Sequence, residues 1–309
     1  MTSHAQLKTV RAALLGLALL FGTGVPAVAQ DAAAATPRAA EQGPALWVVS
    51  DEDSTLYLFG TIHMLRPTTR WDTPRVTAAF DSASRLVMEV ADLEDPAVVL
   101  PLVRQYGISP ELPLSGLLTP SEMEALDAAA RLMGGSAARM DSMRPWLAGV
   151  TIASASVIRA GYDVESGVER VLKARAEAAG MSVGGLETAD EQIRMLAGFP
   201  EEGQLAYLRR ALDEFETAAV EVDRLADFWA TGDMDGIETL SIDPMRERSE
   251  LLYQALLVRR NTNWADQIQT MLEGSGTVFI AVGALHLTGD DSVQKILQAR
   301  GVAVEAAPR

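Results

Sequence analysis

Short apolar runs with β-branched and aromatic residues lie near both ends of this chain, and apolar residues at helical spacing fill most of what separates them. Residues 45–49 and 55–59 flank the acidic stretch 50–54, the pattern of a β-hairpin with a loop of moderate length. The second run leads directly into Gly60-Thr61-Ile62-His63. Thr73 before Pro74 supplies an N-cap and a first-turn proline for a helix to about residue 83, and residues 85–90 return as a strand with Glu89 near its end. The carboxy-terminal end repeats this order. Residues 277–282 read as a strand, Gly283-Ala284-Leu285-His286 follows, Asp290 or Asp291 caps a helix through residue 299, and Gly301 stops it before a strand at 302–305. A glycine at each strand end would let the backbone turn sharply, so that the histidine three residues on projects from its loop into a cleft.

Between these frames the spacing predicts helices over residues 120–133, 144–161, 164–180 and 200–232, and shorter ones over 234–240, 244–259 and 262–273. Residues 181–186 interrupt them as a short strand ending at Glu187, followed by a helix that continues through Gln192 and Met195. The expected fold is α/β: a mixed sheet with two strand–GxxH–helix–strand units and a large helical insertion at about residues 112–180, placed to wall or cover the site.

The amino terminus reads as a signal peptide over residues 1–29, with Lys8 and Arg11 ahead of an apolar run and Ala27-Val28-Ala29 as the cleavage site. Its apolar run, residues 12–21, is short of the ~20 needed to span a bilayer. An alanine- and proline-containing leader, residues 30–44, precedes the domain at 45–305. The expectation is a periplasmic or secreted protein with no stable membrane anchor after cleavage. The formal net charge of −16 becomes −18 once Lys8 and Arg11 leave, which argues against nucleic acid and anionic lipid as partners. With no cysteine in the chain, disulfides, thiolate catalysis and thiolate metal ligands are excluded.

His63, Glu89, Glu187 and His286 each fall at or just past a predicted strand end, where distant segments of an α/β sheet converge. Imidazole and carboxylate together can hold a divalent ion or divide the activation of water between base and orienting partner, and spacing alone does not choose. Neither H-E-x-x-H nor G-x-S-x-G is present. Arg260 and Asn261 read as following a helix, where they would hold an oxyanion or a carboxylate, or where the arginine would merely answer the helix dipole. Glu187 with Thr188 reads as a ligand or as a helix cap, Trp264 as core, and residues 51–53 as a solvated turn.

Five ordered segments carry a resemblance: Leu58 to Leu65, Leu86 to Val90, Gly185 to Gln192, Arg260 to Trp264, and Ala281 to Leu287. In this order they resemble the TraB/GumN family, bacterial relatives of the Tiki metalloproteases, over roughly residues 46–304. The resemblance implies a sheet-based α/β fold distantly similar to erythromycin esterases and haem-binding ChaN-like proteins. It implies that His63, His286 and Glu89 line the active site and that the activity is divalent-metal-dependent peptide cleavage, with manganese or cobalt as the ion. Two imidazoles without a thiol need carboxylate or water to complete a shell, which suits those ions better than a closed zinc site. The leading expectation is an exported metal-dependent hydrolase acting on a peptide or protein, with His63, Glu89 and His286 as catalytic and metal residues and Arg260 and Asn261 as catalytic partners. Gly60, Gly283 and Glu187 are secondary candidates. A non-catalytic haem or small-ligand binding protein and a metal-independent esterase-like hydrolase remain as alternatives.

Overall fold

The computed structural model describes residues 43–308. The expected signal peptide, His4 and almost all of the leader lie outside the described residues.

The sheet forms where the sequence places its β-branched and aromatic runs. β1 (Leu46–Ser50) and β2 (Ser54–Thr61) make the expected hairpin, paired from Leu46↔Phe59 to Ser50↔Thr55. Asp51 closes the turn by accepting from the amides of Asp53 and Ser54. β3 (Arg85–Val90), β4 (Ser182–Glu187), β5 (Gly276–Gly283) and β6 (Val304–Ala306) complete a mixed sheet of order β4-β3-β5-β2-β1-β6. β2 and β3 flank β5 in parallel, while β1 runs antiparallel to both β2 and β6.

Alternation sorts the central strands' side chains onto two buried faces, which is why they read as nearly continuous apolar runs. Leu56, Leu58, Val87, Ile280 and Val282 pack with Trp264, Ile268 and Leu297. On the opposite face Phe59 and Phe279 meet Phe80, Trp71 and Trp229, with ring centroids 5.3–6.5 Å apart. Each fully buried large side chain contributes about 1.5–3 kcal/mol. The central strands are therefore firmly seated, and whatever emerges from their ends starts from a fixed position.

The chain divides into two compact units. Residues 43–89, 165–186 and 221–308 carry the sheet and the helices Pro74–Ser82, Val168–Ala178, Arg259–Leu272 and Val293–Ala299. Residues 90–164 and 187–220 form a helical unit with its own core, in which Leu114, Leu126, Ile152, Leu208 and Phe215 are buried together. Its helix Pro145–Arg159 is apolar nearly all round, and Gly149 is needed because a Cβ there would stand 2.7 Å from the Tyr207 ring.

Several boundaries differ from the sequence-based expectation. Residues 200–232 form two helices, Glu201–Asp213 and Ala218–Thr231, because the chain turns at 214–217 without glycine or proline to announce it. Pro96–Gly107 is a helix with Asp95 as cap, despite Pro101 in its interior. Ser292, rather than Asp290 or Asp291, precedes the helix Val293–Ala299, and Asp291 instead accepts from the Tyr253 hydroxyl at 2.6 Å.

Candidate active site

The parallel register of β2 and β5 pairs Gly60 with Val282 and Thr61 with Gly283, so the two G-x-x-H loops leave the sheet side by side. Neither glycine adopts a positive φ, which corrects the expectation of a glycine-specific turn. Gly60 is required for a different reason: a Cβ would lie 3.1 Å from the Ala284 Cα, against the second loop. Its carbonyl accepts from Trp229 Nε1 at 2.7 Å, which anchors the first loop to the aromatic layer.

His286 sits on a 3-10 turn, Ala284–Leu287, directly after β5 and is 3% exposed. Asn261 Nδ2 donates to the Asp291 carbonyl at 2.7 Å, which turns Asn261 Oδ1 toward His286 Nδ1, 2.6 Å away. Nδ1 therefore carries the proton, and the Nε2 lone pair accepts from Arg260 Nη1 at 3.1 Å. The same Nη1 donates to the Leu256 carbonyl at 3.1 Å, while Nη2 donates to Glu89 Oε1. Trp264 lies beneath both, its ring 4.2 Å from the imidazole centroid and 4.8 Å from the guanidinium carbon. Glu89 Oε2 receives the Gly283 amide at 3.3 Å and stands 3.9 Å from His286 Nε2.

Local backbone geometry explains this arrangement. Arg260 and Asn261 open the helix Arg259–Leu272, which continues from a π-helical turn, Gln254–Val258. Their expected place at a helix carboxy terminus is thus corrected, and the dipole explanation for Arg260 lapses with it. Burial pulls His286 down, Arg260 lowers it further against the opposing pull of Glu89, and the imidazole is pushed down to about 3. Burial alone would raise Glu89, but Arg260, His286 and His63 outweigh it and hold the carboxyl below its usual range.

His63 meets Glu169, which is not among the residues expected from the sequence. Its Nδ1 lies 2.7 Å from Glu169 Oε1, in a bent approach rather than in line with a ring N–H. Thr61 Oγ1 donates to the same carboxylate oxygen, and the Val168 amide donates to the Ile62 carbonyl at 3.0 Å, docking the helix start on the loop. Glu169 Oε2 is buried without a hydrogen-bond partner among the described residues. Burial lowers His63, yet the negative charge of Glu169 beside it overcomes that, and the imidazole ends above its ordinary value. Glu89 and Arg260 also act on His63, so the two loops share one electrostatic environment.

Among the expected site residues, the fold gathers Glu89, Arg260, Asn261 and His286, with Gly283 donating to the carboxylate. Thr188, not Glu187, caps the helix Ala189–Ala197 in a capping box with Glu191. Trp264 is core as expected and also forms the floor of the site. Glu169 did leave a signal: with Leu172 and Ala176 it falls at i, i+3 and i+7 on the buried stripe of its helix, where a carboxylate needs a reason.

The donor types suit a divalent ion, and the His286 tautomer leaves the ring nitrogen that a metal would use. The arrangement does not: Arg260 already holds both His286 Nε2 and Glu89 Oε1. Among the described residues no three histidine or carboxylate groups converge as a ligand cluster.

A mixed α/β sheet with histidine loops on neighbouring parallel strands defines the class of protein. The chain belongs to the TraB/PrgY/gumN family, whose family model matches residues 45–306. It is 24% identical over 257 residues to the uncharacterized protein YbaP of Escherichia coli strain K12, covering 82% of this chain and 92% of that one. It is 22% identical over 267 residues to an uncharacterized protein of Treponema pallidum strain Nichols, covering 82% and 80%. No solved structure matches significantly. Among the described residues no helix is long and apolar enough to cross a membrane.

Proposed function

We propose that this protein is an exported hydrolase of peptide or ester bonds in which His63 and Glu169 move the proton and the Arg260 cluster supplies fixed charge. The observation that carries this reading is the contrast between two imidazoles on adjacent loops, His63 with Nδ1 2.7 Å from Glu169 Oε1 and His286 with Nε2 3.1 Å from Arg260 Nη1, which biases the first upward and the second downward. His63, its Nδ1 beside the Glu169 carboxylate, would take a proton from water through Nε2 as hydroxide adds to the scissile carbonyl. It would return that proton to the leaving nitrogen or oxygen. The positive charge of Arg260 would favour the oxyanion, and neutral His286 with Glu89 would fix the guanidinium against reorganisation. The signal peptide expected from the sequence would place this reaction in the periplasm or outside the cell.

Family resemblance supports a second reading in which manganese or cobalt assists the reaction. The described arrangement would admit such an ion at His286 and Glu89 only with Arg260 displaced.

A panel of peptides and esters assayed with the mature chain in EDTA, then with manganese or cobalt, separates these readings. Turnover in EDTA that falls with both His63→Ala and Glu169→Gln is the expected result. Turnover only with added ion would favour the metal-dependent reading. Absence of turnover together with haem binding would replace both with a ligand-binding role.

A further inference from the structure

His286 Nε2 and Glu89 Oε2 are 3.9 Å apart. Two donors on one ion at about 2.1 Å each are separated by no more than about 4.2 Å, so a single cation could reach both groups. A cation is already in place there. The Arg260 guanidinium reaches His286 Nε2 with one amino group and Glu89 Oε1 with the other, is tied to the Leu256 carbonyl, and lies over Trp264. Asn261 meanwhile fixes His286 with its lone pair toward the guanidinium.

We propose that Arg260 is the resident cation of this site, standing where a divalent ion would bind between His286 and Glu89. These two groups then take up such an ion only once Arg260 is out of the way. A guanidinium neutralises the buried carboxylate and satisfies the imidazole lone pair, the two tasks that a divalent ion would perform. It does so on a tether, so its local concentration far exceeds that of any dissolved ion. Affinity for dissolved ions is accordingly weak in the native chain.

The test uses the mature chain, stripped with EDTA and dialysed, with free manganese followed by electron paramagnetic resonance. Arg260→Met should bind manganese at least tenfold more tightly than the native chain, and adding His286→Ala should remove the gain. Arg260→Met leaves a buried carboxylate without its guanidinium, so thermal melts supply a second readout. Manganese should raise the melting temperature of Arg260→Met and leave that of the native chain unchanged. Two results overturn the proposal: native protein already binding one manganese that His286→Ala abolishes, or Arg260→Met showing neither tighter binding nor a melting shift. Because no substrate is involved, failure to find hydrolysis leaves this test intact, and failure here leaves the His63–Glu169 reaction standing.

Discussion

The two G-x-x-H loops begin from equivalent places, the ends of neighbouring parallel strands, yet their histidines have opposite neighbours. The first loop hands His63 to a carboxylate that receives a hydroxyl and keeps one oxygen without a hydrogen-bond partner among the described residues. The second hands His286 to an amide, a guanidinium and an indole, with every polar atom of the imidazole engaged. A shared local motif fixes where a side chain leaves the sheet. What that side chain does is decided by residues far away in sequence, here Glu169 for one loop and Arg260 with Asn261 for the other.

Removing the charge that distinguishes the second loop should have the largest effect. Arg260→Ala leaves Glu89 charged and buried, and should cost about 3–5 kcal/mol in urea unfolding, the range for a broken buried pair. A loss under about 1 kcal/mol would mean that water or another group replaces the guanidinium.

The first loop should instead fail in activity. If the panel yields a substrate, His63→Ala should lower kcat/KM on it about 10²–10⁴-fold, with a smaller loss of stability than Arg260→Ala. The reverse ranking would exchange the roles assigned to the loops.

Their contact should be tighter than glycine chemistry alone requires. Gly60→Ala pushes a methyl against Ala284 and should destabilise by about 1–3 kcal/mol, measurable by the same unfolding curves. An unchanged midpoint would show that the loops are free to part.

The smallest effect is on pH dependence. Because Glu169 raises His63, Glu169→Gln should move the acid limb of the kcat/KM profile to lower pH. The stability signs are also opposite. His63, raised in the fold, stabilises fully below the unfolded value of 6.5, and this contribution is lost as pH climbs through its folded value. His286, depressed to about 3, costs nothing above 6.5 and loses stability as pH falls between those values. Their combined contribution should therefore peak near pH 6.5.

Much of this framework was legible because glycine, proline and β-branched runs report local geometry directly. The hairpin, the strand bearing Glu89, the Thr73-Pro74 helix start and both histidine loops follow from such signals. The turn at 214–217 and the π turn before Arg259 did not, since neither contains a residue whose backbone preference demands it. Glu169 was hidden differently. An acidic residue in a helix's first turn is ordinary by itself, and only its position on the buried stripe gives it away.

In a chain that begins at residue 30, His63 and His286 are the only histidines, so nitrogen-15 imidazole NMR follows each without ambiguity. One ring should titrate above 6.5 and lose its upward shift in Glu169→Gln. The other should remain the neutral Nδ1–H tautomer until pH approaches 3. Two histidines titrating together near 6.5, or Glu169→Gln leaving both unchanged, would contradict the division of labour between the loops.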